Sequence, residues 1–418
     1  MILTSSSVSA ILAIFKMKMR LVAWGLMLGL SVALAADWPG WRGPRGDGYT
    51  AEAAPLRWDA TDNIRWKVPV PGVGHSSPIV VGQRVLLTSY LAKGNQRLLV
   101  CYDRSSGKEL WRVVVLSAPA EKLHKNNTPA SSTPVSDGKH VWTTFAEKDQ
   151  ITVSCHTLEG EAVWQKKFPG WESRHGFCGS PTLHDGLIIV NGDSDGDAFL
   201  AGLDAATGEQ RWRVARPNKI RSFSAPLRIE VDSQPRLVLA GSQCVVAFEP
   251  GTGKELWKVD TATQKYVATV AQADKVILVS GTSPEATLMG LDFHGKTLWS
   301  DPRGASYVPS PLGLNKHFLV LADNGLVNRI EARTGKREWT KRLGRAHNAS
   351  PIQAAKHVYC IDTDGITWVL KAGDSFELVA KNPLGEECHA TPAVSDGQLF
   401  VRTSRHLWCI GPRHEATR

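Results

Sequence analysis

The sequence predicts an all-β fold, an eight-bladed β-propeller of four-stranded antiparallel blades whose ring is closed by an N-terminal strand. Three observations carry this. A turn-then-Trp unit recurs along the chain, as in "DAATGEQRW" from Asp204 to Trp212. A small residue followed by Ser, Thr or Ala precedes Pro at a second recurring mark. The marks alternate at roughly 40 to 56 residues, the length of a blade of four strands.

The first 35 residues read as a targeting segment. Lys16, Lys18 and Arg20 precede an apolar run from Leu21 to Leu30, and Ala33-Leu34-Ala35 is a small-residue cleavage site. Met17 or Met19 is an alternative start. No Cys stands at the cleavage point, so a lipid anchor is not expected, and no later apolar run is long enough to span a bilayer. Residues 36–60 form an N-terminal arm, 61–412 the propeller and 413–418 a short tail.

The turn-then-Trp units supply Trp111, Trp164, Trp212, Trp257, Trp299 and Trp339. The Pro marks fall at Pro78, Pro134, Pro181, Pro226, Pro311, Pro351 and Pro392, with "ATV" at Ala268–Val270 as an eighth copy without Pro. In the sixth unit "PSPLGL", "HFLVLAD", "GLVNRIEA" and "KREWTK" read as four short strands separated by Gly, Asn and Asp turns. Pro at the start of an edge strand loses no ladder hydrogen bond. The Thr-Gly turn supplies the positive φ needed before the last strand. The Trp is expected to wedge against the neighbouring blade. The seventh unit carries Phe376 in the Trp place, and the eighth ends after "HLWCIG" without a fourth strand. "NIRWKVPV", Asn63 to Val70, supplies that strand and Trp66. The closed ring removes exposed edges between blades.

Composition narrows the function classes. The formal net charge of +9 is scattered rather than striped, which argues against nucleic-acid binding. Five of the seven Cys (Cys101, Cys155, Cys244, Cys360 and Cys409) lie in strand-like runs and are expected to be buried hydrophobes. No CxxC occurs, and no metal site is predicted. "NGDSDGDAF", with Asp193, Asp195 and Asp197, fails the EF-hand spacing and reads as a hairpin tip.

The unit D-x-x-T-G-x-E-x-W resembles the tryptophan-docking motif of pyrroloquinoline-quinone (PQQ) propeller proteins, over roughly residues 60 to 412. "DWPGWRGPRGDG" is similar to the N-terminal arm of PQQ-like repeat proteins of bacterial envelopes. The resemblance implies one of two branches. One is non-catalytic and includes BamB-like assembly factors; the other is the quinoprotein alcohol and sugar dehydrogenases, with PQQ, Ca²⁺, an adjacent Cys-Cys disulfide and an Asp base. This chain has no Cys-Cys pair. The reading adopted is a periplasmic or secreted envelope scaffold, monomeric and without cofactor or catalytic residues. Its partners would be envelope proteins. A quinone-dependent oxidoreductase and a carbohydrate-binding propeller are the alternatives.

The strand starts also point to a site. Three residues before each stand His75, Ser131, Cys178, Phe223, Val267, Val308, Asn348 and His389. One step earlier come Phe177, Ser222, Tyr266, Tyr307, His347 and Cys388, with His175 and Arg345 nearby. The shared register places these groups near one mouth of the channel. His75, Ser131, His175, Cys178, Phe223, Tyr266, Tyr307, Arg345, His347 and His389 are therefore a candidate ligand rim, with packing and hydrogen bonding of the channel lining as the structural alternative.

Overall fold

The computed structural model describes residues 37–59, 62–216 and 218–412. The targeting segment and the C-terminal tail lie outside the described residues. Eight four-stranded antiparallel sheets follow one another in chain order, and no helix occurs among the described residues. The third blade is typical, with strands Thr182–His184, Leu187–Gly192, Phe199–Asp204 and Gln210–Ala215 in spatial sequence. The eighth blade takes its fourth strand from the other end of the described chain. Ile64–Pro69 pairs antiparallel with His406–Ile410, as the count of marks predicts.

In every blade but the seventh, the fourth strand is half-exposed and carries the docking Trp beside a β-bulge. Trp212 pairs with Gly202 just before the register shifts at Leu203, and Trp111, Trp164, Trp257, Trp299 and Trp339 sit at equivalent shifts. The indole N–H of Trp66, Trp111, Trp164, Trp212, Trp257 and Trp299 donates to a carbonyl of the following blade, at 2.7 to 3.1 Å. The ring then lies over that blade's turn glycine. A Cβ on Gly208 would stand 2.6 Å from Trp164, and its φ is +71°. The Thr-Gly turn is therefore glycine for two reasons, its left-handed backbone and the indole above it.

The seventh blade departs from the sequence reading. Val369 pairs with Ala380 immediately before the bulge, so Ala380, not Phe376, occupies the Trp place. Phe376 lies in the preceding turn and meets Trp339 edge-on, with ring centroids 5.5 Å apart. The turn is one residue longer than in the sixth blade, with Lys371 N bonded to Glu377 O where Glu331 N bonds Lys336 O, and Phe376 lies within it. Ala380 belongs to a buried cluster that also contains Trp58 from the N-terminal arm.

The arm crosses the ring. The backbone of Trp38 exchanges two hydrogen bonds with Val80 of the first blade, and Pro39 accepts from Ser136 N of the second. Arg42, fully buried, donates to the carbonyl of Pro311 in the sixth. Tyr49–Thr50 then adds a parallel fifth strand to the seventh blade against Gln353 and Ala354. Farther on, Tyr359 donates to Ala54 O and Asn382 to Leu56 O. No helix among the described residues is long and apolar enough to cross a membrane.

Candidate functional site

The channel edge of each blade is held by the residue before the Pro mark. The backbone N–H of Ser77 donates to Thr133 Oγ1, and that of Thr133 to Ser180 Oγ. After an interruption the series resumes, from Ala225 N to Thr269, Thr269 N to Ser310, Ser310 N to Ser350 and Ser350 N to Thr391. All six bonds measure 2.9 to 3.0 Å. The recurring Ser or Thr is a hydroxyl belt linking consecutive blades. Ala225 breaks it because it has no hydroxyl to accept from Ser180.

Just outside this belt lies a cavity of about 150 Å³. All eight residues standing three before a strand start border it: His75, Ser131, Cys178, Phe223, Val267, Val308, Asn348 and His389. Tyr307 and His175 join them. Apart from Tyr307, the neighbouring register position turns away. Tyr266 and His347 are fully buried, and Phe177, Ser222 and Cys388 are buried with them. Alternate side chains of an extended segment point to opposite sides, so in these pairs one member faces the channel and the other the blade. Tyr266 donates its hydroxyl to Thr261 within the fourth-to-fifth blade region. Arg345 is exposed and does not border the cavity.

Four lining residues carry no repeat signal. His124, Asn126 and Asn127 come from the long loop between the first two blades, and Trp41 from the arm. The loop is tied down by Asn127 Nδ2 donating to His175 O at 2.8 Å. Trp41 also borders a larger cavity of about 950 Å³ that includes Arg45, Asp47 and Lys275. Trp41 shares that position with Ser180 and Ala225, which also border both cavities. The sequence signal for Trp41 was the arm's "WPGW", whose Gly and Pro punctuate a chain unable to form regular structure.

The cavity is electrically neutral. No Asp, Glu, Lys or Arg borders it. Burial, then the adjacent His389 and Arg402, lowers His75 to about 3. Burial, then Arg221, lowers His175 to about 4. His389 is lowered chiefly by burial. The imidazoles of His75 and His389 lie 4.3 Å apart, a separation that two neutral rings tolerate and two cations would not. Asn348 Nδ2 donates to His389 Nδ1 at 2.9 Å, which leaves the proton of neutral His389 on Nε2. Burial pushes the Cys178 thiol up to about 12, so it is no nucleophile at neutral pH. All seven cysteines are free, and six are buried, among them the five strand residues.

The acidic hairpin is occupied by arginines. Asp193 pairs with Arg216 at 2.8 Å and Asp195 with Arg221 at 2.7 Å. Among the described residues no group of three or more His, Cys, Asp or Glu is placed to hold a metal ion. PQQ carries three carboxylates on a fused-ring core. The cavity offers no Lys or Arg for them, and Arg221, which reaches His175, is already committed to Asp195. These residues do not fit that cofactor, and no chemical step is derived through it.

Comparison with known proteins agrees with the fold. A family model described as "Outer membrane protein assembly factor BamB" matches residues 94–243 and 241–405. The chain is 23% identical over 347 residues to outer membrane protein assembly factor BamB of Burkholderia pseudomallei (strain K96243), covering 78% of this chain and 81% of that protein. The crystal structure of BamB from Moraxella catarrhalis superposes with a TM-score of 0.62 at 13% identity, over 85% of this chain and 98% of that one. A europium-containing methanol dehydrogenase superposes with a TM-score of 0.66 at 10% identity, over 90% and 98%. At such identities the structural likenesses establish the fold alone. With the family match covering most of the chain, the protein belongs to the PQQ-like-repeat propeller family described as outer membrane protein assembly factor BamB.

Proposed function

We propose that this propeller is a non-catalytic binding scaffold of the bacterial cell envelope that takes part in outer-membrane protein assembly. The observation that carries the reading is the neutrality of the central cavity. Acid–base or redox chemistry requires an ionisable group poised at the reacting atoms. Here His75 and His175 are held neutral, the thiol is held protonated, and no carboxylate borders the space. The similarity to assembly factors over most of the chain supports the same reading. The leader pattern supports a periplasmic location. A rigid ring with exposed loops suits a protein that holds partners rather than transforms them.

The test is crosslinking in the native envelope followed by identification of the attached proteins. Recovery of outer-membrane barrel-assembly components is expected. Their absence under conditions that capture a known assembly factor would overturn the assembly role. Dye reduction with alcohols or aldoses after addition of PQQ and Ca²⁺ would overturn the non-catalytic reading and favour the dehydrogenase branch.

A further inference from the structure

The cavity is built to a specification that scaffolding alone does not require. About 150 Å³ is the space that one six-membered ring fills, well below the roughly 300–1,000 Å³ of a drug-sized site. Trp41, Tyr307 and Phe223 contribute aromatic residues to its lining. Amides (Asn126, Asn127, Asn348) and imidazoles (His75, His175, His389) line it, so donors and acceptors are both available. Asn348 fixes His389 with Nε2–H left to donate. No formal charge borders the space.

We propose that this mouth binds one neutral, hydroxyl-rich ring, a pyranose sugar residue, and discriminates against anions of the same shape. A pyranose presents apolar C–H faces suited to an aromatic lining and a girdle of hydroxyls that both donate and accept. An added carboxylate would enter a half-buried space without a counter-charge, and burying an unpaired ion is costly. His75 and His175 gain protons only near pH 3 and 4, so neither supplies that counter-charge near neutrality. The inference concerns the mouth and is independent of any protein partner.

The experiment is saturation-transfer NMR and calorimetry on the full chain, with glucose, galactose, N-acetylglucosamine and glucuronate as probes. At least one neutral sugar is expected to bind, with glucuronate weaker by about tenfold or more. His389→Ala should weaken the neutral sugar by about tenfold, the loss of a buried hydrogen bond. Val267→Phe fills the cavity from a half-exposed position and should abolish binding while the thermal midpoint is retained. It keeps the test decisive if His389→Ala misfolds. Failure of all three neutral sugars to bind at about 50 mM overturns the proposal, since that is weaker than any useful affinity. So does glucuronate binding as tightly as glucose, or a Val267→Phe protein that is folded and still binds.

Discussion

At the outer rim of a blade junction, an indole from one blade lies on the turn of the next; at the channel, a backbone N–H meets a hydroxyl of its neighbour. The outer seam is chiefly apolar and needs two matched residues, a Trp and a Gly. The inner seam is polar and needs a single hydroxyl. Both are imperfect, and their gaps do not coincide. The indole seam weakens between the sixth and seventh blades, where Trp339 meets Phe376 and its N–H finds no partner, and is absent between the seventh and eighth, where Ala380 replaces the Trp. Those junctions keep their hydroxyl bonds, from Ser310 to Ser350 and from Ser350 to Thr391. The hydroxyl belt is interrupted at Ala225, between the third and fourth blades, where Trp212 docks fully. There Arg216 also reaches across from Asp193 to Gly241 O. Between the eighth and first blades, Trp66 docks and Arg402 donates to Thr88 O. Each junction thus retains at least one intact fastening.

The largest effect should come from cutting the indole seam of a junction that lacks its hydroxyl bond. Trp212→Ala is expected to cost about 3–5 kcal/mol, the usual range for a buried Trp. It should exceed Trp164→Ala, whose junction also has the Thr133–Ser180 bond. Urea midpoints of the two variants measure the difference, and equal losses would break the idea that the seams share a load.

A second lever is pH. Burial holds His347, beside the weakened sixth-to-seventh junction, down at about 4, against 6.5 in the unfolded chain. The unfolded state binds the proton first, so stability falls as pH drops from about 6.5 towards 4, by up to about 3 kcal/mol for this residue. His75 and His175 add to the same slope. Replacing His347 with Leu should flatten the stability profile across that window, with little change at pH 8. Thr391→Val, at a junction without a docking Trp, should cost about 1–3 kcal/mol for the orphaned Ser350 N–H. Thr133→Val, backed by Trp111, should sit at the lower end of that range. Calorimetric midpoints rank the pair. Smallest of all, Ala225→Ser supplies the missing acceptor for Ser180 N–H and should stabilise by about 0.5–1 kcal/mol. A destabilised variant would show that the interruption is a packing requirement.

Much of this was legible in the sequence because a repeat displays its own register. The Trp and Pro marks gave eight blades, and the truncated last unit pointed to Asn63–Val70 as its completion. The channel-facing set was legible too, since Pro marks put equivalent residues at equivalent heights. Tyr266 and His347 were placed with it because no decision was made between adjacent positions, although strand alternation separates them. Phe376 stands outside the Trp place because the turn ahead of the seventh blade's fourth strand is one residue longer than in the sixth. Trp41, His124, Asn126 and Asn127 lie in irregular segments, and only the tertiary fold brings these to the mouth.

The pairing of Ile64–Pro69 with His406–Ile410 has a consequence for biogenesis. Among the earliest propeller residues made, Trp66 must wait until nearly the whole chain has been synthesised before its strand has a partner. A chain cut short before His406 would leave that strand, and the face of the first blade that Trp66 covers, open to water and to other chains. Completion of the ring therefore acts as a length check: only a chain that extends through residue 410 supplies the partner of the Ile64–Pro69 strand.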